Sequence, residues 1–376
     1  MRIFVKLVMA PIAVAAAGTA GLAGVAGAAG AGLAACPTGP VAYVGPTATV
    51  GGQETITPVN ALTGAADPKI KIGRRTGLFT LTPNGKMIYV LDGPAGTVTP
   101  VSTCTGAGRA PIKVGRSPQG IAITPDGKMA YVANDRSDTV TPIRIATNTA
   151  LAPIPVGVRP KMVVITPDGK TAYVTNAFSN SVTPILIATD TALAPIPVGR
   201  HPDLMTLSPD GKTIYVSSGQ GTFVTPVSTV TNMALPGIKI GFAPTALVIS
   251  PDGKAGYAAS KANFELVPID LVTGTALKPI ALDAPDALAI TPDGKTLYAA
   301  DYFGSSVNAI QVGTSTVVAK IHTGSLSDAI AISPNGKLAY VANNTYGTVT
   351  RINTATNKAS KNIKVGGHPV YIVMAP

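Results

Sequence analysis

The chain has 376 residues with 33 prolines, 40 glycines and no tryptophan, a composition that demands many turns and excludes extensive helix. Charged residues make up only 12%, yet lysine and arginine number 29 against 18 acids, so the formal net charge of +11 favours anionic partners without singling out DNA. Aromatics at 5% advertise neither a sugar-stacking platform nor the base-stacking surface of a single-strand nucleic-acid binder.

At the N-terminus, Arg2 and Lys6 lead into an apolar run from Leu7 to Ala17. A long Ala/Gly stretch follows, with small-x-small sites such as Ala29-Gly30-Ala31. This is the pattern of an export signal, and it divides the chain into residues 1–35 as signal and 36–376 as a single domain. An uncleaved anchor is the alternative, although Lys6, Pro11 and the glycines after Ala17 interrupt any clean 20-residue apolar span. Loss of the signal leaves a mature charge of about +9. Leu33-Ala34-Ala35-Cys36 matches a lipoprotein processing box, in which Cys36 becomes the acylated first residue. The competing use of Cys36 is a disulfide with Cys104, the only other cysteine, which an exported protein tolerates. The two uses exclude each other, and two unpaired thiols are the third alternative.

Past the signal, Val41 to Val44, Thr55 to Val59 and Lys69 to Ile72 read as strands. Pro-Asp/Asn-Gly-Lys then recurs seven times, starting at Pro83, Pro125, Pro167, Pro209, Pro251, Pro292 and Pro334, at a spacing of 42 with one interval of 41. A period of about 40 to 45 with several strands per unit is that of propeller blades. Each unit holds four short apolar or β-branched runs, as in Gly120 to Thr124, Met129 to Ala133, Thr139 to Ile143 and Pro111 to Val114. Between the first two, Asp126-Gly127 supplies the left-handed backbone of a tight hairpin. Tyr43, Tyr89, Tyr131, Tyr173, Tyr215, Tyr257, Tyr298 and Tyr340 share one position of the second strand, where a ring fills the layer between blades.

The two chain ends complete one blade. Pro376 follows a first strand, Val370 to Met374, and Pro37 precedes Tyr43 as Pro125 precedes Tyr131. Seven blades plus this composite one predict a closed, all-β propeller of eight blades, with no free sheet edge. Seven blades remain the alternative, because the Tyr43 to Tyr89 interval is 46 residues. Proline at Pro58, Pro100, Pro142, Pro184, Pro226 and Pro268 of the third strand cannot donate to a ladder, so the outer, fourth strand is expected to be short or loosely paired; Ala309 and Arg351 take that place in the last two copies.

Tyr173-Val174-Thr175-Asn176, Tyr131-Val132-Ala133-Asn134 and Tyr340-Val341-Ala342-Asn343 resemble the signature of the YVTN-repeat propellers of surface-layer and exported proteins. The lead-in Val114-Gly115-Arg116-Ser117-Pro118 fits the same pattern, and the resemblance covers residues 37–376. It implies an extracytoplasmic propeller. Relatives by fold include lactonases, dehydrogenase subunits and adhesive modules, so it assigns no chemistry.

In a propeller, the loops entering each first strand share a face with the loops joining strands two and three, and the Asp-Gly hairpins lie opposite. The hairpin face gathers a crown of lysines from Lys86 to Lys337 that solubility alone explains. The other face gathers Arg74, Arg116, Arg136, Arg159, Arg200, His201, His368, Asn134, Asn176 and Asn343, a basic and amide-lined mouth suited to a carboxylate or phosphate. His201 and His368 occupy equivalent slots four blades apart, which argues against a shared metal, and no carboxylate pair suggests acid–base work. The expectation is an exported, noncatalytic and monomeric module of the cell envelope that binds a protein or an anionic cell-surface polymer, without cofactor or metal. Nucleic acid is disfavoured, and membrane attachment is limited to the signal or a lipid on Cys36. The alternative is a lactonase- or lyase-like enzyme with its site in the Arg/His mouth.

Overall fold

The computed structural model describes residues 39–48, 52, 54–73 and 76–375. These residues are all β, with no helix, and form eight antiparallel sheets that are the blades of a closed propeller. Eight blades, not seven, is therefore the count. Blade 1 is the composite one: Tyr371–Met374 is innermost, followed outward by Val41–Ala48, Glu54–Asn60 and Ile70–Gly73. Tyr43 pairs with Val373 and Val44 with Ile372, so the two ends of the chain zip together and the ring has no open edge. The four extra residues of the 46-residue interval fall between Tyr43 and Pro58, in a longer hairpin whose pairing slips between Val44 and Thr47, not in an extra strand.

Blade 2 comprises Thr76–Leu81, Met87–Asp92, Thr97–Ser102 and Ile112–Lys113. Blade 3 comprises Pro118–Ile123, Met129–Asn134, Thr139–Arg144 and an outer strand in two pieces, Thr149–Ala150 and Ile154–Pro155. Blades 4 to 8 occupy residues 160–197, 202–239, 246–281, 285–322 and 327–364. Between the first strands of blades 1 and 2, Phe79 meets Tyr371 edge-on at 5.2 Å, and a cavity of about 10 Å³ lies among first-strand residues of blades 1 to 4.

The outer strands behave as their prolines require. Pro142 pairs with Tyr131 on its inner side, and its carbonyl still accepts from Leu151 N at 2.8 Å, but without an N–H it cannot return that bond. The outer strand is accordingly split around it. In blade 7, where Ala309 replaces the proline, the outer strand runs unbroken over Thr316–His322. Blade 8, with Arg351 there, is split all the same, so the third-strand proline is not the sole cause.

Each hairpin carries a device beyond its glycine. Thr124 Oγ1 donates to Asp126 Oδ1 at 2.6 Å, the same oxygen accepts from Lys128 N, and Met129 N donates back to Thr124 Oγ1. A hydroxyl two residues ahead of the acid or amide recurs at Thr82, Thr166, Ser208, Ser250, Thr291 and Ser333. Its hydrogen bond holds the carboxyls of Asp126, Asp168, Asp210, Asp252 and Asp293 below the usual range.

The repeated tyrosines are core residues, as expected, but their hydroxyls have a second role. Each reaches across a seam to the outer turn of the next blade. Tyr89 donates to Asn148 Oδ1 at 2.6 Å, Tyr131 to Asp190 Oδ1 at 2.7 Å, and Tyr173 and Tyr298 to Asn232 and Asn357 at 2.6 Å. Tyr257 uses Val312 O, Tyr43 bonds Thr103, and Tyr340 closes the ring on Ala61 O at 2.6 Å. Burial raises the phenol pKa values, those of Tyr173 and Tyr298 to about 12, which keeps them donors. The acceptors Asn148, Asp190, Asn232 and Asn357 adopt left-handed backbone, with φ between 51° and 54°.

Tyr215 is the exception, because Gly274 stands in the acceptor's place with φ 68° and open space where a side chain would go. Gly274→Asn installs the amide that the sister turns use. It is expected to stabilise the protein by about 0.5–1.5 kcal/mol, read as a raised midpoint in denaturant, and Tyr215→Phe in the same background should abolish the gain.

Candidate functional site

The entry loops and the second-to-third-strand loops share one face. Arg159, from the loop entering blade 4, bonds Asp135 of blade 3 at 2.7 Å, and Lys161 reaches the same carboxylate at 3.2 Å. Arg116, Arg136, Arg200 and His368 are exposed on this face, and His201 is half-buried. Arg116 donates to Arg136 O at 3.0 Å, while His368 Nδ1 sits 3.1 Å from Asn344 O, at the entry to blade 1 and four blades from His201. Arg74, Cys36 and the export signal lie outside the described residues. Cys104 is disulfide-bonded.

The three asparagines do not line the mouth with the arginines. Asn134, Asn176 and Asn343 are fully buried and donate through Nδ2 to pairs of third-strand hydroxyls: Thr139 and Thr141, Ser181 and Thr183, Thr348 and Thr350. Their side chains press so closely on Gly115, Gly157 and Gly324 that a Cβ there would lie within 2.7 Å. The signature asparagine thus packs the entry glycine against its blade, and in blade 8 it also bonds the loop, through Gly324 N to Asn343 Oδ1 at 3.1 Å.

What the sequence reading missed is the placement of the aromatic rings not used in the core. Phe178, Phe223, Phe264, Phe303 and Tyr346 are 42–67% exposed, and they are all the exposed aromatics among the described residues. They occupy the second loop or the start of the third strand of blades 4, 5, 6, 7 and 8 in succession, all on this one face. Several are held in place. Phe178 packs against the His201 ring at 5.5 Å and under the Arg159 guanidinium at 5.1 Å, and His201 in turn meets Asp203 at 3.3 Å. Tyr302, half-buried, meets Phe303 edge-on at 5.0 Å and lies 3.9 Å beneath the Lys261 ammonium. Phe264 adopts φ 58° at a slot that holds Asp138, Asn180 and Ser305 elsewhere. In blades 3 and 4 that slot clamps the next entry loop, through Asp138 to Arg159 N and Asn180 to His201 N. Phe264 gives up that bond and accepts a backbone strain of about 1–2 kcal/mol. A signal for this arc was present in the sequence, as aromatic residues spread over four adjacent positions at the second loop and third-strand start of successive repeats.

No family model matches the chain, and no curated protein does. Solved structures do match, with 1606 chains among them, so the architecture is common. Hydrazine synthase of Kuenenia stuttgartiensis is 25% identical, covers 74% of this chain and 95% of its own, and has a TM-score of 0.59. Dihydro-heme d1 dehydrogenase NirN, in complex with DHE, is 15% identical over 89% of this chain and 74% of that one, with a TM-score of 0.77. A functionally unknown protein from Desulfotomaculum acetoxidans is 15% identical over 90% and 99%, with a TM-score of 0.59. The last two likenesses show the propeller alone. Two of the three carry enzyme names and one has none, so the shared fold assigns no activity.

Blade 7 departs from its sisters in a coordinated way. Asp301 replaces the signature asparagine, the entry is one residue shorter with Asp283 where blade 3 has Gly115-Arg116, and Gly304, like Gly221 of blade 5, stands at the place of Ser137 and Ser179, leaving room for Asp283. On the third strand Asn308 replaces a threonine, so the hydrogen bond reverses: Asn308 Nδ2 and Ser306 Oγ donate to Asp301 Oδ2 at 2.7 and 2.8 Å. Oδ1 of this fully buried carboxyl has no partner, and Lys320 caps Asp283 instead. Burial pushes Asp301 up to about 6, partly offset by its two donors. An acid whose folded pKa exceeds its ordinary value near 3.8 penalises the native state once ionised, so the penalty develops as pH rises from about 4 to about 6 and is constant above. Asp301→Asn should remove it. The stability advantage of the variant over wild type, on the order of 2 kcal/mol at pH 7, is expected to vanish towards pH 4 in denaturation curves taken across that window.

Proposed function

We propose that the chain is an exported, noncatalytic binding module of the cell envelope, akin to the YVTN-repeat propellers, which holds a protein or an anionic glycan on its loop face. The observation that carries this reading is the placing of five exposed aromatic rings, one on each of blades 4 to 8, on the same face as Arg116, Arg136 and Arg200. Loop arginines and asparagines often serve only their turns, and here the asparagines do. An exposed aromatic ring has no turn to satisfy, and a monomer gains nothing by displaying five of them on one face. The disulfide at Cys104 supports an oxidising compartment. No helix among the described residues is long and apolar enough to cross a membrane.

Binding of the mature protein to purified cell-wall fractions and to polygalacturonate, measured by co-sedimentation, tests the proposal. Phe178→Ser combined with Arg136→Ser and Arg200→Ser is expected to weaken retention at least tenfold while the melting temperature holds. A wild-type protein that binds neither material, and no protein-derived ligand, overturns it.

One observation favours a second reading, a lactonase- or lyase-like enzyme: the half-buried His201–Asp203 pair at the mouth, at 3.3 Å. On that reading His201→Ala abolishes turnover of a lactone or uronate panel. Turnover that survives the substitution removes it.

A further inference from the structure

The loop face is divided. Its aromatics run through blades 4 to 8, whereas the corresponding loops of blades 2 and 3 read Gly93-Pro94-Ala95-Gly96 and Asp135-Arg136-Ser137-Asp138 and carry no ring. The exposed cations crowd the boundary: Arg116 and Arg136 at blade 3, and Arg200 at the entry to blade 5, with Phe178 between them on blade 4. Asp135 pairs with both Arg159 and Lys161 and offsets one of their two charges, so the unpaired charge most open to a partner is that of Arg116, Arg136 and Arg200.

Resting on the binding-module reading, we infer that the partner is a protein: a surface segment whose apolar side chains seat on the aromatic arc and whose carboxylates meet the arginines beside Phe178. Four of the five exposed rings are phenylalanine. A sugar face or a lipid headgroup layer is met by rings with a polar edge, tryptophan and tyrosine, and the chain has no tryptophan. Phenylalanine offers apolar area alone, which pairs with apolar side chains and, with arginine, marks the centre of protein interfaces. Two cavities, one of about 460 Å³ between blades 3 and 4 on the hairpin face and one of about 10 Å³ among the first strands of blades 1 to 4, are lined by none of the five rings. Rings projecting from five consecutive blades form a broad arc. At their exposures they present on the order of 500 Å² of apolar surface before their neighbours are counted, the larger part of the roughly 800 Å² each partner contributes to a stable complex.

The arc is prepared for this use. Phe178 is wedged between Arg159 and His201, and Phe303 is braced by Tyr302, which Lys261 covers, so these rings lose little freedom on docking. Phe264 keeps its ring at the expense of a clamp that Asp138 and Asn180 make in other blades. The exposed aliphatic side chains tell a different story: Leu62, Val230, Val272 and Val318 are scattered on outer turns and strands of separate blades.

Selection of a displayed library of random 16-residue peptides on the full mature chain decides the matter, with the combined Phe178→Ser, Phe264→Ser, Phe303→Ser variant as counter-target and polygalacturonate and anionic phosphatidylglycerol vesicles as parallel probes. Peptides rich in apolar residues with two or more Asp or Glu should emerge, lose at least tenfold affinity for the triple variant, and lose a further threefold or more with Arg136→Ser and Arg200→Ser. Unchanged melting of the variants excludes a folding defect. Binders indifferent to the triple variant, or no binders, overturn the inference. Ring-dependent binding of polygalacturonate alone also overturns it but leaves the binding-module reading standing, and ring-dependent binding of vesicles alone overturns both.

Discussion

The ring depends on one bond repeated around it. A tyrosine hydroxyl, buried at the second strand of one blade, reaches the outer turn of the next in seven of the eight seams. Apolar side chains between blades resist separation but tolerate sliding, because dispersion and burial are not directional. A short hydrogen bond to an atom fixed by a left-handed turn is directional. It sets the rotation of each blade against its neighbour, and eight such rotations must sum to a full turn. The last latch, Tyr340 to Ala61 O, joins residues 279 positions apart in the chain, so it belongs to closure and not to any one repeat.

The same layout explains why the fold could be read from sequence in detail. The Pro-Asp/Asn-Gly-Lys hairpin fixes the period, the tyrosine fixes the second strand, and the proline of the third strand foretells the broken outer one. The blade completed by both ends was legible from Pro37 and Pro376 with the strand runs beside them. What was not legible is who receives each side chain's polar atom. Tyr131 reads as a large core residue; that its hydroxyl needs Asp190, 59 residues on, is a fact of three-dimensional phase between blades. The hydroxyl of Thr124 likewise sits outside the tetrapeptide that draws the eye, although it organises the turn.

The functional face was legible only in part, for a related reason. Asn134, Asn176 and Asn343 are polar residues at the right end of the right strand, and sequence places them at the mouth. Yet an amide with two hydroxyls within 3.2 Å is drawn inward, and the solvent-facing set is left to the arginines and the rings. Low aromatic content pointed away from an aromatic surface. That inference weighs the average and overlooks the distribution: eight tyrosines are taken up by the seams, and of the rest five stand together on one face.

Blade 7 and the loop tips show two kinds of change that a repeat permits. In the packed end of the blade, a substitution must bring others with it. Asp283 requires Gly304 for room, and Asp301 requires Asn308 as a donor, because every atom in that corner already has a neighbour. At the tip one residue farther out, Arg136, Phe178, Gln220, Ala262, Phe303 and Thr345 succeed one another with no correlated change in the strands. Tips are therefore where a propeller alters what it binds without altering how it stands, and the Phe264 slot marks the limit of that freedom. There the new side chain displaced a clamp and took up a strained backbone, so its retention is better explained by what it meets outside the molecule than by anything within it.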